Sequence, residues 1–143
     1  MRVFLAGIIQ GSKADPTVHD QTYRELVSAV LQEVDPTVEI VDPHTQHPER
    51  FDFTQDQKRA MFIRYVEEAA KCDLVIAYLP EASMGTAVEM WAAHQAGVPV
   101  VTVTPMTVNW VVFSLSASVF TDLDQLVAFL RGGGLDTFRA AAR

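Results

Sequence analysis

The chain alternates short apolar runs with amphipathic stretches. Val3-Phe4-Leu5-Ala6 is a continuous apolar run closed by Gly7, the pattern of a strand buried on both faces. Leu26, Val27, Val30, Leu31 and Val34 then recur at helical spacing, and Pro36 closes that helix. A second strand is predicted over residues 38–41. It ends at Asp42-Pro43, and the polar, turn-rich segment through Pro48 reads as a surface loop. Thr54 followed three residues later by Gln57 is a capping box, opening a helix whose apolar positions include Met61, Phe62, Tyr65, Val66 and Ala69. Residues 74–79 and 98–103 are the strongest strand signals, rich in β-branched residues, with Thr102 as their polar member. Between them residues 85–96 predict a helix ended by Gly97, with Pro99 just beyond. Val119-Phe120 reads as a short last strand, and residues 121–130 as a final helix stopped by Gly132-Gly133-Gly134.

This order predicts a single α/β domain over residues 1–143, doubly wound in the flavodoxin or Rossmann-like manner. Its core is a five-stranded parallel sheet with right-handed crossovers and helices on both faces. A chain of 143 residues with 49% hydrophobic content is large enough for one real core and too small for a second independent domain. In such sheets ligands bind beyond the carboxyl ends of the strands, where strand order reverses. Residues 7–12, 80–89 and 104–116 are therefore expected to meet there.

Charge and cysteine content narrow the partners. Eleven Lys and Arg against eighteen Asp and Glu leave a net charge of −7, and the basic residues are scattered singly. That excludes a nucleic-acid polymer or an anionic membrane surface bound through a basic face. The single cysteine, Cys72, makes neither an internal disulfide nor a thiolate metal site. It reads as a small buried hydrophobe in a reducing, cytoplasmic setting. The apolar start over residues 3–9 is too short to span a bilayer, so a soluble, unprocessed protein is expected.

Two segments carry candidate chemistry. Gly7-Ile-Ile-Gln10-Gly11-Ser12 follows the first strand as a phosphate or ribose loop would. It lacks both the dinucleotide fingerprint and the Gly-Lys-Ser/Thr ending of a triphosphate loop, and a plain turn is an equal reading. Residues 80–89 are more specific, because Ser83, Gly85 and Glu89 place a hydroxyl, a glycine and a carboxylate at a strand end and helix start. Free amides and the positive end of the helix dipole would bind an anion there. The same field is expected to keep Glu89 ionised, which suits a nucleophile. The alternative is that Ser83 caps the helix and Glu89 only complements its dipole.

The run Ser83-Met-Gly85-Thr86-Ala-Val-Glu89-Met, with Ala92 and Gly97-Val-Pro-Val after it, resembles the nucleoside 2-deoxyribosyltransferase family, which includes the nucleoside 5′-monophosphate N-glycosidases. The likeness extends from Val3-Phe-Leu-Ala-Gly7 to the last helix. It implies that Glu89 attacks C1′ of the sugar and that water or a second base resolves the glycosyl-enzyme. Ser83 stands where the monophosphate hydrolases have a phosphate-binding serine and the transferases an aspartate. Gln10 replaces a loop arginine of many hydrolases, and Phe4 replaces the tyrosine of deoxyribose-specific members. Asn109 resembles an asparagine that transferases insert into the neighbouring subunit's site, which implies a homodimer or higher homo-oligomer.

One departure concerns the acid. Where the family has an aspartate on the second helix that protonates the leaving base, this chain has Tyr65. Glu68, three residues on along the same helical face, is an alternative acid. A retaining mechanism wants two carboxyls about 5 Å apart. Asp73 begins its strand at the opposite end of the sheet and reads as structural. The resemblance thus implies cleavage or transfer at the N-glycosidic bond of a nucleoside or nucleoside monophosphate, with Glu89 and Tyr65 catalytic. Phe4, Gly7, Gln10, Ser83, Gly85 and Asn109 would bind substrate, with no metal or organic cofactor. A non-catalytic nucleotide-binding module of the same fold is the alternative, and a flavodoxin-like signalling domain lacks the acidic cluster it would need. His44 and His47 are spaced His-x-x-His without the third ligand zinc requires, so a base contact is the better reading. Trp91 replaces a family glycine, and Trp110 and Phe113 read as interface or core.

Overall fold

The computed structural model describes residues 1–10, 14, 17–47 and 52–141. Gly11 and Ser12 of the first loop and Pro48 lie outside them. Strands β1 (Arg2–Gly7), β2 (Glu39–Val41), β3 (Leu74–Tyr78), β4 (Val100–Val103) and β5 (Ser118–Phe120) pair in parallel throughout, in the order β2-β1-β3-β4-β5. The predicted five-stranded doubly wound α/β sheet is therefore observed. The chain leaves β1 for β2 on one side and returns to β3 on the other, so strand order reverses between β1 and β3. A crevice opens there at the carboxyl ends.

Alternation along the strands splits the core into two layers. Val3, Leu5, Leu74, Ile76, Val101 and Val103 face α1 (Thr22–Val34), α6 (Leu123–Arg131) and α7 (Gly134–Ala141). Phe4, Ala6, Val75, Ala77 and Val100 face α3 (Gln55–Ala69), α4 (Met84–Gln95) and α5 (Trp110–Leu115). A strand covered on both sides is apolar at nearly every position, which is why these runs show no polar alternation; buried Thr102 is tolerated because its hydroxyl hydrogen-bonds with the Ser116 hydroxyl at 2.7 Å. Each buried Leu, Ile, Val or Phe contributes about 1.5–3 kcal/mol.

Three short elements depart from the sequence reading. The segment after Asp42, expected to be loop, holds a one-turn helix α2 (Pro43–Gln46), capped by the Asp42 side chain accepting from the His44 amide. The stretch around Trp110 is helix α5, begun by Asn109 Oδ1 accepting from the Val111 and Val112 amides. Helices this short carry too few turns for a periodic signal. The glycine triplet is a turn between two helices and not a terminus: Gly133 takes φ +87°, Gly134 begins α7, and Leu135 packs into the core. Leu26 and Phe62, expected on buried helix faces, are 42% and 40% exposed.

Candidate functional site

Gly7 ends β1 and pairs with Tyr78, which ends β3. A Cβ at Gly7 would overlap the Tyr23 hydroxyl oxygen and come within 3.0 Å of the Tyr78 carbonyl, so the site needs glycine to admit the phenol from α1. Tyr23 lies against Tyr78 with ring centroids 4.3 Å apart, and its hydroxyl is buried without a formed hydrogen bond among the described residues. Burial pushes that hydroxyl far above the ordinary phenol range, against the pull of Arg24. A cavity of about 470 Å³ opens on the α1 side of this edge, lined by Tyr23, Leu26, Tyr78, Pro80 and Leu123 with His19 and Asp20 beside them.

Arg24 is 2% exposed. Its Nη1 donates to the Leu5 carbonyl at 2.9 Å and to Asp42 Oδ1 at 2.6 Å. Nε donates to Gln21 Oε1 at 2.7 Å, and Nη2 reaches the Gly7 carbonyl at 3.4 Å. The guanidinium thus ties α1 to the carboxyl ends of β1 and β2. Asp42 Oδ1 also accepts from the His44 amide, while Oδ2 is buried with no hydrogen-bond partner among the described residues.

From the other face comes α4. Ser83 is its N-cap: the Oγ accepts from the Thr86 amide at 3.3 Å and from Thr86 Oγ1 at 3.1 Å. The capping role weighed against anion binding is thus present, and the serine proton remains to be donated. Phe62 of α3 lies beside Gly85, 3.7 Å from where a Cβ would stand.

Glu89 corrects an expectation. Its carboxyl is half-buried and pushed up to about 8 by desolvation, with Arg24 acting in the opposite sense. Helix α4 begins at Met84, so Glu89 occupies the second turn. The dipole acts within the first turn, and loss of water outweighs it. The resting carboxyl is therefore mainly protonated at neutral pH, not ionised.

Tyr65 is buried on α3, its hydroxyl donating to Gln46 Oε1 at 2.8 Å and its ring 6.3 Å from Phe4 and 5.8 Å from His47. Phe4 is fully enclosed in the core. Glu68 lies elsewhere: it pairs with Arg2 at 3.2 Å and with Lys71 at 3.4 Å, at the amino end of β1. Arg2 holds its carboxyl below the ordinary range. It cannot serve as the acid, because α3 carries it a turn further from the carboxyl ends of the strands. Asp73 accepts from the Arg2 amide at 2.6 Å at that same amino end. Asn109 spends its Oδ1 on capping α5, beside exposed Val108, Trp110 and Phe113. Gln10 is exposed at the end of the described loop. Cys72 is buried, which raises its thiol to about 11. Among the described residues no three His, Cys, Asp or Glu side chains gather as metal ligands, and no helix is long and apolar enough to cross a membrane.

Sequence reasoning missed Tyr23, Arg24 and Asp42. A signal existed for the arginine: Arg24 falls on the helical stripe that continues through Val27 and Leu31, where a charge has no place unless it is paired.

No family model matches the chain, and no curated protein matches it in sequence. Among solved structures it is similar to a 2-deoxyribosyltransferase from the psychrotolerant bacterium Bacillus psychrosaccharolyticus. That match has a TM-score of 0.67 and 16% identity, over 91% of this chain and 96% of that one. It is also similar to a conserved protein from Enterococcus faecalis V583, with a TM-score of 0.65 and 18% identity over 92% and 97% of the two chains. The chain has a 2-deoxyribosyltransferase-like α/β fold, and at these identities the likeness is one of fold.

Proposed function

We propose that this protein cleaves or transfers at the N-glycosidic bond of a nucleoside or nucleoside 5′-monophosphate, with Glu89 as nucleophile. The observation that supports the reading is a desolvated carboxyl on α4, the helix that follows β3, within electrostatic reach of Arg24. Ionised Glu89 attacks C1′; the bond from C1′ to the base nitrogen breaks, its electron pair leaves with the base, and that nitrogen takes the proton of the Tyr65 hydroxyl, which is regained from the water or second base that resolves the ester. Water or the nitrogen of a second base then attacks C1′ of the glycosyl ester and restores the carboxylate. A desolvated carboxylate is the more reactive for lacking a hydration shell, and the cost is that only a fraction is ionised at neutral pH.

Tyr65, fixed by Gln46, stands on α3 for base departure, in the place of the family's acid. The Ser83 hydroxyl and the first amides of α4 bind the phosphate or a sugar hydroxyl, with little help from Lys or Arg. Exposed Met84, Val88 and Trp91 on α4, with Trp110 and Phe113 on α5, support assembly with a second copy, which brings Asn109 toward the neighbouring site.

The test is release of free base from a panel of nucleosides and monophosphates, in wild type and Glu89→Ala. Loss of release in the variant is expected; undiminished activity overturns the reading. A non-catalytic nucleotide-binding module is the second reading, favoured by the tyrosine at position 65. Calorimetric binding of a nucleotide without turnover by wild type would establish it.

A further inference from the structure

The cavity on the α1 face takes no part in the chemistry assigned to Glu89. Tyr23, Tyr78 and Leu123 of its wall pack in the core layer beneath α1 and α6, whereas α3 and α4 pack against the other face of the sheet. Its volume of about 470 Å³ lies within the range of small-molecule pockets, about 300–1,000 Å³.

Two polar atoms of the wall are left over. Tyr23 is 6% exposed, and its hydroxyl forms no hydrogen bond among the described residues. His19 Nε2 is buried too; a Glu81 carboxylate oxygen stands 3.1 Å away without a hydrogen bond being formed. The loop that presents this imidazole is held in place: the His19 amide donates to the Ile9 carbonyl at 2.8 Å, and its carbonyl accepts from Gln21 Nε2 at 2.9 Å. Buried polar atoms are nearly always hydrogen-bonded, so two such atoms in one cavity wall point to a ligand with a polar edge.

Charge narrows the class. Among the described residues no Lys or Arg lines the cavity. Arg24, 5.0 Å from the centre of the Tyr23 ring, is spent on Gln21, Asp42 and the β1 carbonyls. An anion would lose its hydration there without gaining a counter-charge. A cation is not provided for either, because the two Asp20 carboxylate oxygens accept from the Thr22 amide and hydroxyl, each at 2.9 Å. The remaining wall is aromatic and apolar, with Tyr23 and Tyr78 facing Leu26, Pro80 and Leu123, which suits a flat ring.

We propose that this cavity binds a neutral heteroaromatic ring, the class that includes free nucleobases, with its polar edge on His19 Nε2 and the Tyr23 hydroxyl. The site stands on the cavity and not on the role of Glu89.

The experiment titrates the full chain with adenine, benzamide and benzoate by calorimetry, and locates each probe by NOEs from its ring protons to leucine methyls. Adenine and benzamide are expected to bind with NOEs to Leu26 and Leu123, benzamide about tenfold more tightly than benzoate. Leu26→Trp fills the cavity from a half-exposed helix position and should abolish binding; Leu123→Trp takes its place if that variant fails to fold. Tyr23→Phe should weaken adenine about fivefold. Glu89→Ala should bind adenine as wild type does, which separates this cavity from the site of the nucleophile. No binding at millimolar probe, NOEs to other leucines only, or undiminished binding in the filled variant would overturn the proposal. So would equal affinity for benzamide and benzoate, full adenine affinity in Tyr23→Phe, or its loss in Glu89→Ala. Failure of the glycosidic reading leaves these outcomes unchanged, since none of them reads turnover.

Discussion

Replacing Glu89 by glutamine should stabilise the protein, and by an amount that depends on pH. The carboxyl titrates at about 8 in the folded chain against an ordinary value of 4.5. Below about pH 4.5 both folded and unfolded chains hold the proton, and the favourable contribution is fully present. As pH rises, the unfolded chain ionises first while the folded chain keeps its proton, and stability falls by about 1.4 kcal/mol per unit. The loss ends once the folded carboxyl ionises near pH 8. A gap of about 3.5 units gives about 5 kcal/mol in all, a large share of the 5–15 kcal/mol that a domain has to lose. Glu89→Gln keeps the shape and removes the titration. Urea denaturation of both proteins from about pH 5 to about pH 9 should show curves that nearly meet at the acid end and separate steadily until they run parallel. Curves parallel across the whole range would refute the desolvated carboxyl, and with it the reason for its protonated resting state.

Three further expectations follow from the same geometry. If ionised Glu89 is the attacking form, kcat/KM should rise about tenfold per pH unit on the acidic side and level off near pH 8, whereas a flat profile through neutrality would contradict it. Gly7→Ala drives a Cβ into the Tyr23 hydroxyl oxygen and should destabilise the fold by about 1–3 kcal/mol. Tyr23→Phe should recover part of that loss, and a double-mutant cycle by chemical denaturation with zero coupling would show the clash to be absent. Trp110→Asp together with Phe113→Asp should convert an assembled protein to monomer in sedimentation experiments, since both side chains stand mostly exposed in the single chain; an unchanged mass would locate the assembly surface elsewhere.

Much of the fold was legible because it is written in local pattern. The apolar runs of β1, β3 and β4 announce strands covered on both faces, and the Thr54–Gln57 capping box appears with both hydrogen bonds formed. Both depend only on neighbours within a few residues, so the chain itself declares them. The position of Glu89 on a helix after β3 was equally plain, and so was the sheet end at which it stands. Its charge was not. The helix dipole is a local property and pointed toward ionisation; desolvation depends on what α1, α3 and the strand ends bring around the carboxyl. The choice between Tyr65 and Glu68 was left open for the same reason, since Glu68 pairs with Arg2, 66 residues away along the chain, at the amino end of β1. The sequence by itself determined which segments are strands and helices and that their crossovers run in parallel, through periodicity and chain stiffness. Only the tertiary structure decided that strand order reverses between β1 and β3, and that Arg24 spans 18 residues to Asp42. The charge state of Glu89 was settled there too, because charge and solvation are set by distances through space and not along the chain.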